Sequence, residues 1–323
     1  MPRSRHRRGS PWTGLGAVVA KEAADHLSGI RMVVIEALIF LMALIVAWFS
    51  TGTIRESIGE SPFLFLRLLT ISPDPIPFSF ISMVGLVTPL IAISLGFDAV
   101  NSEFNQRTLS RILAQPIYRD ALLLGKFLAR LLALTIALLS LWLLVLGLGF
   151  LRLGLPPDTE EMVRMLGFLL ATIAYGGVWL ALALLFSVMF RAAATAALAA
   201  IALWFVFLLF WSELIAPLVA AIVAGPPQDV FGPRIAYLNA EQLLDRLSPN
   251  TLYSDTAIAL LHPATRALGP VFMSQLQGAL IGAPLPASQS FILIWPQLTG
   301  LVAAVILIFA IAYVLFQRQE IRA

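Results

Sequence analysis

Cysteine is absent from the 323 residues, and histidine occurs only at His6, His26 and His262. The first absence excludes disulfides, thiolate metal sites and thiol nucleophiles, and it leaves the redox compartment unreadable. Three scattered histidines make no metal-ligand set and are read as surface or packing residues. Charge is also scarce. Charged residues are 12% of the chain and hydrophobic ones 59%, against about 25% and about 45–50% in soluble domains. With a mean hydropathy of +0.91, this is the composition of an integral membrane protein with little soluble mass. No phosphate-binding loop is present: the one Gly-Lys pair, Gly125-Lys126, is followed by Phe and lacks the upstream glycine. His-Glu-x-x-His, Gly-x-Ser-x-Gly, Asn-x-Ser/Thr and a Met-x-Met cluster are missing as well. The isoelectric point of about 9.6 does not point to nucleic acid, because the net charge is only +3 and the basic residues sort by membrane side.

What is present is apolar length. A spanning helix needs about 20 mostly apolar residues, and six stretches qualify: residues 33–50, 79–97, 122–151, 162–190, 192–211 and 291–316. The third and fourth exceed the need and must tilt or project. With the N-terminus placed inside, Arg55, Arg67, Arg152, Arg164, Arg234, Arg246 and Arg266 fall outside, and the other 14 of the 21 Lys and Arg fall inside. Six spans then put the C-terminus inside too. This bias sets the expected orientation, with both termini cytoplasmic and the chain in the cell membrane.

Residues 1–32 are expected to form a cytoplasmic N-terminus and an interfacial helix. The basic start, Met1-Pro-Arg-Ser-Arg-His-Arg-Arg8, is followed by no short apolar core and cleavage site, so it is read as retained. Leu15, Val19, Ala23 and Leu27 recur every four residues, with Lys21, Glu22 and Asp25 off that stripe, and Ser28-Gly29 offers a break. Residues 33–323 form the spanning domain. Within it, residues 212–290 are punctuated by prolines, and their apolar pieces are too short to span, so a small helical outer segment between spans five and six is expected. Two acids stand near span ends. Glu36 is read chiefly as a snorkelling or Arg31-paired residue, and a gate or substrate contact is its functional reading. Glu213 lies at the outer end of span five and shares that second reading.

Between spans two and three lies a compact charged segment, residues 98–120. On a helix, Glu103 and Arg107 are four apart and support it; Arg107 and Arg111, again four apart, put two guanidinium groups on one face. Phe104, Leu109, Ile112 and Leu113 supply an apolar side, and Pro116 stops the helix. A short amphipathic helix along the inner surface follows. Charge alone does not set it apart from an ordinary loop obeying the positive-inside rule.

The order of residues does. Glu103, Thr108-Leu109, Ile112-Leu113, Gln115-Pro116, Arg119 and Gly125-Lys126 resemble the ABC-2 type permeases of ABC transporters, and among them the NosY-like branch. These carry a Glu, Gly-Thr-Leu, Leu-Leu, Gln/Ser-Pro, Arg, Gly-Lys pattern after their second span. Arg107 stands where that family usually has Gly, which favours a continuous helix there. The resemblance implies an all-α membrane protein of six transmembrane helices that works as a transport subunit and not as an enzyme. Residues 98–120 would be the coupling helix, seated in a cleft of a separate ABC ATPase. That role falls on Glu103, Arg107, Thr108, Leu109, Arg111, Ile112, Leu113, Gln115, Pro116 and Arg119, with Lys126 and Arg130 as inner-interface anchors. It further implies two ATPase copies carrying the ATP and Mg, no cofactor in this chain, a second permease (the same or a different chain), and export. The alternatives, an ion-coupled secondary transporter and a non-transporting membrane scaffold or assembly protein, stay open. The first needs polar, broken spans at mid-depth, and these spans hold almost no charge there.

Overall fold

The computed structural model describes residues 14–56, 63–105, 119–226, 233–266, 268 and 284–318. Among these residues every regular element is helical. Six helices are long and apolar enough to cross a membrane, so the chain is a multi-pass membrane protein. The first helix, α1 (Leu15–Leu27), is short. Span one is α2 (Ile30–Glu56), followed by the short α3 (Leu64–Thr70). Span two is α4 (Phe80–Gly96), continued after a turn by α5 (Asn101–Asn105). Spans three and four are α6 (Arg119–Leu153) and α7 (Thr159–Met189). Span five is α8 (Ala193–Phe205), a π-helical stretch (Val206–Ile215) and α9 (Ala216–Ala224). Then come α10 (Pro233–Asp245), α11 (Pro249–Leu261) and span six, α12 (Ala287–Arg318).

The fourth span is the hub. Buried over most of its length, it packs on α4, α6, α8, α11 and α12. Lipid gives apolar helices no reason to leave it for one another, so close backbone approach has to hold them together. Gly96 shows how tightly: a Cβ there would lie 2.7 Å from the Ala183 Cβ and 3.1 Å from the Leu180 carbonyl oxygen. Backbone cannot step aside, so Gly96→Val is expected to cost about 1–3 kcal/mol by overpacking, read as a lower thermal midpoint of the detergent-solubilised chain. An unchanged midpoint would mean that spans two and four do not depend on this contact.

Two expectations are refined here. The helical break at Ser28-Gly29 is present, but the buried face of α1 is Val18, Glu22 and Ala23, with Leu27 exposed. The face is rotated toward Glu22 relative to the four-residue stripe. Gly125 explains it: the space a Cβ would take is filled by Val18, whose Cγ1 stands 2.7 Å from that position, so α1 lies directly against α6. The fifth span does not end at Trp211. It runs to Ala224 because the π stretch carries the helix onward, and Pro217 falls in the first turn of the α-helix that follows. A proline there needs no N–H partner.

On the face of the membrane away from α1, the segments are fastened by polar side chains. Glu161 accepts from the Asp158 backbone N–H at 3.0 Å and from the Phe65 N–H at 2.8 Å, closing the starts of α7 and α3 with one carboxylate. Arg152 stacks over Trp48, 3.8 Å from the ring centroid, and donates to Thr51 Oγ1 at 3.3 Å, tying the ends of spans one and three.

Candidate coupling site

Lys126 and Arg130 are four residues apart on α6 and therefore share a face. That face points into the protein: the residues are 2% and 4% exposed. Two buried cations in an apolar helix need acids, because an unpaired buried charge is costly. Glu22 on α1 provides one, accepting from Lys126 Nζ at 3.1 Å and, through its other oxygen, from an Arg130 terminal nitrogen at 3.1 Å. Glu103 on α5 provides the second, 2.6 Å from Lys126 Nζ. Arg130 also donates through Nε to the Leu95 carbonyl at 2.8 Å, where α4 ends, and through a terminal nitrogen to the Lys126 carbonyl at 3.1 Å. The four charges balance, and the knot joins α1, the end of span two, α5 and the start of span three.

Around it, further bonds hold the ends of the charged segment. Ser187 Oγ near the end of α7 accepts from the N–H groups of Val100 and Asn101 at 2.9 and 3.2 Å. Asn105 Nδ2 donates to the Arg191 carbonyl at 2.9 Å. Across the segment, Asp120 accepts from the Tyr313 hydroxyl at 3.0 Å and from the Gln317 amide, both near the end of span six.

Of the residues expected to couple, Glu103 and Arg119 lie on described helices, Arg119 opening α6. Arg107, Thr108, Leu109, Arg111, Ile112, Leu113, Gln115 and Pro116 lie outside the described residues. Lys126 and Arg130, expected at the headgroup surface, are interior. Glu36 sits half-buried on α2, and the side chain of Arg31, its suggested partner, is outside the described set. Glu213 is exposed on the π stretch, near Asp245. Glu36 and Glu213 are thus on different elements, and neither belongs to the knot. Sequence reasoning missed Glu22, Ser187, Asp120, Tyr313 and Gln317. For Glu22 a signal existed: two cations on one face of an otherwise apolar helix imply a nearby acid.

Burial by itself would raise the Glu22 carboxyl; the adjacent Lys126 and Arg130 charges overcome that and hold it below its ordinary value of 4.5. His26, one turn on, is pushed the other way for an imidazole. Burial, then the Arg130 charge, lowers it from 6.5 to about 4, with Lys126 adding to the fall and Glu22 and Asp98 opposing it. A depressed folded pKa means that the unfolded chain takes the proton first. His26 therefore leaves stability intact above pH 6.5 and removes it as pH falls toward about 4. Glu22 acts only below pH 4.5. The thermal midpoint should accordingly fall between pH 7 and 5, and His26→Gln should flatten that step. A step unchanged in the variant would place its origin elsewhere.

The ABC-2 family transporter protein model matches residues 16–321. A protein of Pseudomonas aeruginosa named "Probable ABC transporter permease protein NosY" is 32% identical over 210 residues, covering 62% of this chain and 67% of that protein. One of Stutzerimonas stutzeri with the same name is 25% identical over 309 residues, covering 94% and 97%. With six spans and a match along almost the whole length, the chain belongs to the ABC-2 transporter family and is a membrane subunit of an ABC transporter.

Proposed function

We propose that this chain is the permease of an ATP-driven exporter whose ATP and Mg bind on a separate ATPase subunit, and that residues 98–120 are its coupling segment. The observation that carries the reading is the knot. Glu103 on one flank and the start of span three on the other are fixed to α1 through Lys126 and Glu22. A push on the segment between them reaches spans two and three as one motion. Buried, mutually paired charges suit such a task, because they do not shift singly.

In this reading the α1 face is cytoplasmic, as the 14-to-7 division of Lys and Arg supports, and both termini lie on that side of the cell membrane. Two ATPase copies and a second permease complete the complex. Arg107 and Arg111 pair with acids of the ATPase, while Leu109, Ile112 and Leu113 enter its apolar groove. The extracytoplasmic helical segment begins after Ala224 rather than at residue 212. Names given to the relatives extend the reading to a NosY-like transporter.

The test is affinity purification of the tagged chain in mild detergent. A P-loop ATPase should co-purify in stoichiometric amount, with ATPase activity. The double reversal Arg107→Glu/Arg111→Glu should reduce co-purification or activity at least about tenfold, the equivalent of roughly 1.4 kcal/mol. Normal assembly and activity in that variant would remove the coupling role from this segment.

A further inference from the structure

Span two carries Pro89 inside its helix, Phe80–Gly96. Proline has no N–H, so the Gly85 carbonyl, four residues back, loses its usual donor within the helix. In a membrane a carbonyl freed in this way has to be met by a neighbouring helix or by water. The Tyr175 hydroxyl of span four meets it, at 3.2 Å. The same hydroxyl stands 2.7 Å from Asn250 Oδ1, in the first turn of α11. A phenol has one proton to give, so acceptors on two different elements compete for it.

Those two elements form walls of one cavity of about 420 Å³. Gly85 and Leu86 of span two line it, as do Asn250 and Ile258 of α11, and Tyr175 stands between them. Glycine at 85 lets the walls approach. A Cβ there would lie 3.2 Å from Tyr253 Cε1, and the Tyr253 ring stacks on that of Tyr175 with centroids 4.3 Å apart. Span two is held differently on the two sides of Pro89. Toward the knot it is fixed, by the Gly96 contact with Ala183 and by the Leu95 carbonyl bonded to Arg130. On the other side Leu86 borders the cavity and is 43% exposed, while Phe80, Met83 and Val84 stay packed. That half has room to tilt but not to detach. Proline is where helices bend.

We propose that span two is jointed at Pro89 and that the Tyr175 hydroxyl is the latch of the joint. In the latched form it bridges Gly85 and Asn250 and holds the two walls together. When the half of span two beyond Pro89 tilts away, the hydroxyl stays with Asn250, its nearer partner, and the cavity widens. Water entering the gap takes over the Gly85 carbonyl, so neither form strands an acceptor. The joint belongs to this chain alone. It does not rest on the coupling role of residues 98–120, and its test needs no ATPase.

The chain has no cysteine, so an introduced pair carries the only labels. Spin labels at Phe78→Cys, just before span two, and Ile258→Cys, on α11, both exposed positions, report the width of the cavity. The full-length chain is measured in nanodiscs by double electron–electron resonance, diluted with unlabelled chain. The shorter distance should dominate in the parent protein. Tyr175→Phe keeps the ring and removes the hydroxyl, and the ratio of long to short distances should rise about fivefold, the equivalent of about 1 kcal/mol. Asn250→Ala leaves the proton to Gly85, and the ratio should fall. Pro89→Ala restores the donor within the helix, and in that background Tyr175→Phe should leave the ratio unchanged. A control pair, Leu170→Cys on span four with Ile258→Cys, should stay fixed throughout. An unchanged ratio in Tyr175→Phe, or an equal rise with proline and with alanine at 89, overturns the proposal, because a tyrosine that only packs acts alike in both backgrounds. Should Tyr175→Phe fail to fold, Asn250→Ala decides alone: a fall supports the latch, and an unchanged or raised ratio overturns it.

Discussion

Glu22→Leu should destabilise the protein by about 3–5 kcal/mol, the usual cost of removing one partner from a buried ion pair. Glu22 forms ion pairs with both Lys126 and Arg130, and those cations are 2% and 4% exposed. With it gone, Arg130 keeps two carbonyl acceptors and the charges of Asp98 and Glu103 nearby, and Lys126 keeps Glu103. The docking of α1 should fail first, because Val18 and Ala23 are the only apolar residues it buries fully. Tryptic cleavage at Lys21, an exposed site on that helix, should then accelerate well before global unfolding. A second variant separates the charge effect from packing. Replacing all four charges, Glu22→Leu with Glu103→Leu, Lys126→Met and Arg130→Met, should recover much of the lost stability, since apolar substitutes for whole buried ion clusters are often neutral. It should not recover the ATPase-linked activity if the knot transmits motion. Parent-like stability of Glu22→Leu alone would show that the carboxylate is dispensable and that the knot is not a structural clamp.

Arg164→Leu is the second change of comparable size. Arg164 has no solvent exposure. It donates to the Leu260 carbonyl at 2.8 Å, to Ser290 Oγ at 3.0 Å, to the Leu285 carbonyl, and to Glu160 at 3.0 Å. One guanidinium thus gathers the end of α11, the approach to α12 and the first turn of α12 onto α7. Leucine strands two carbonyls and a hydroxyl, and the expected loss is about 3–5 kcal/mol. Arg164→Lys keeps the charge but not the planar fork, so it should lose an intermediate amount, about 1–3 kcal/mol. Cleavage at Arg266 should rise in the same order. Equal behaviour of Lys and Leu at this position would mean that charge, and not the fork, does the holding.

Apolar length made the six spans legible, because a bilayer leaves a helix few alternatives. The helix before the first span and its break at Ser28-Gly29 were legible from local pattern. The end of span five was not: Pro217 reads as a stop, and nothing in the apolar pattern announces the π stretch that brings the chain past it. Glu22 was missed for a related reason. A carboxylate on an amphipathic helix is assigned to solvent by periodicity, and only the cations of α6, more than 100 residues away, reveal why it turns inward. Residues 106–118 gained their meaning from a resemblance in residue order. Their flanks now have a physical setting, in Glu103, Asn105 and Asp120, that the order alone does not convey.

The sharing of partners inside the knot limits how its sequence can drift. Exchanging the charges of Glu22 and Lys126 would keep that pair but set a lysine against Arg130 and a glutamate against Glu103, given who touches whom. No single exchange of one acid for one base is neutral. In a lineage that conserves the fold, the four positions should change together or hardly at all, and pairwise covariation should be weaker here than at isolated ion pairs. Grafting one relative's α1 onto another's bundle should therefore succeed only when α6 and the residue at 103 travel with it.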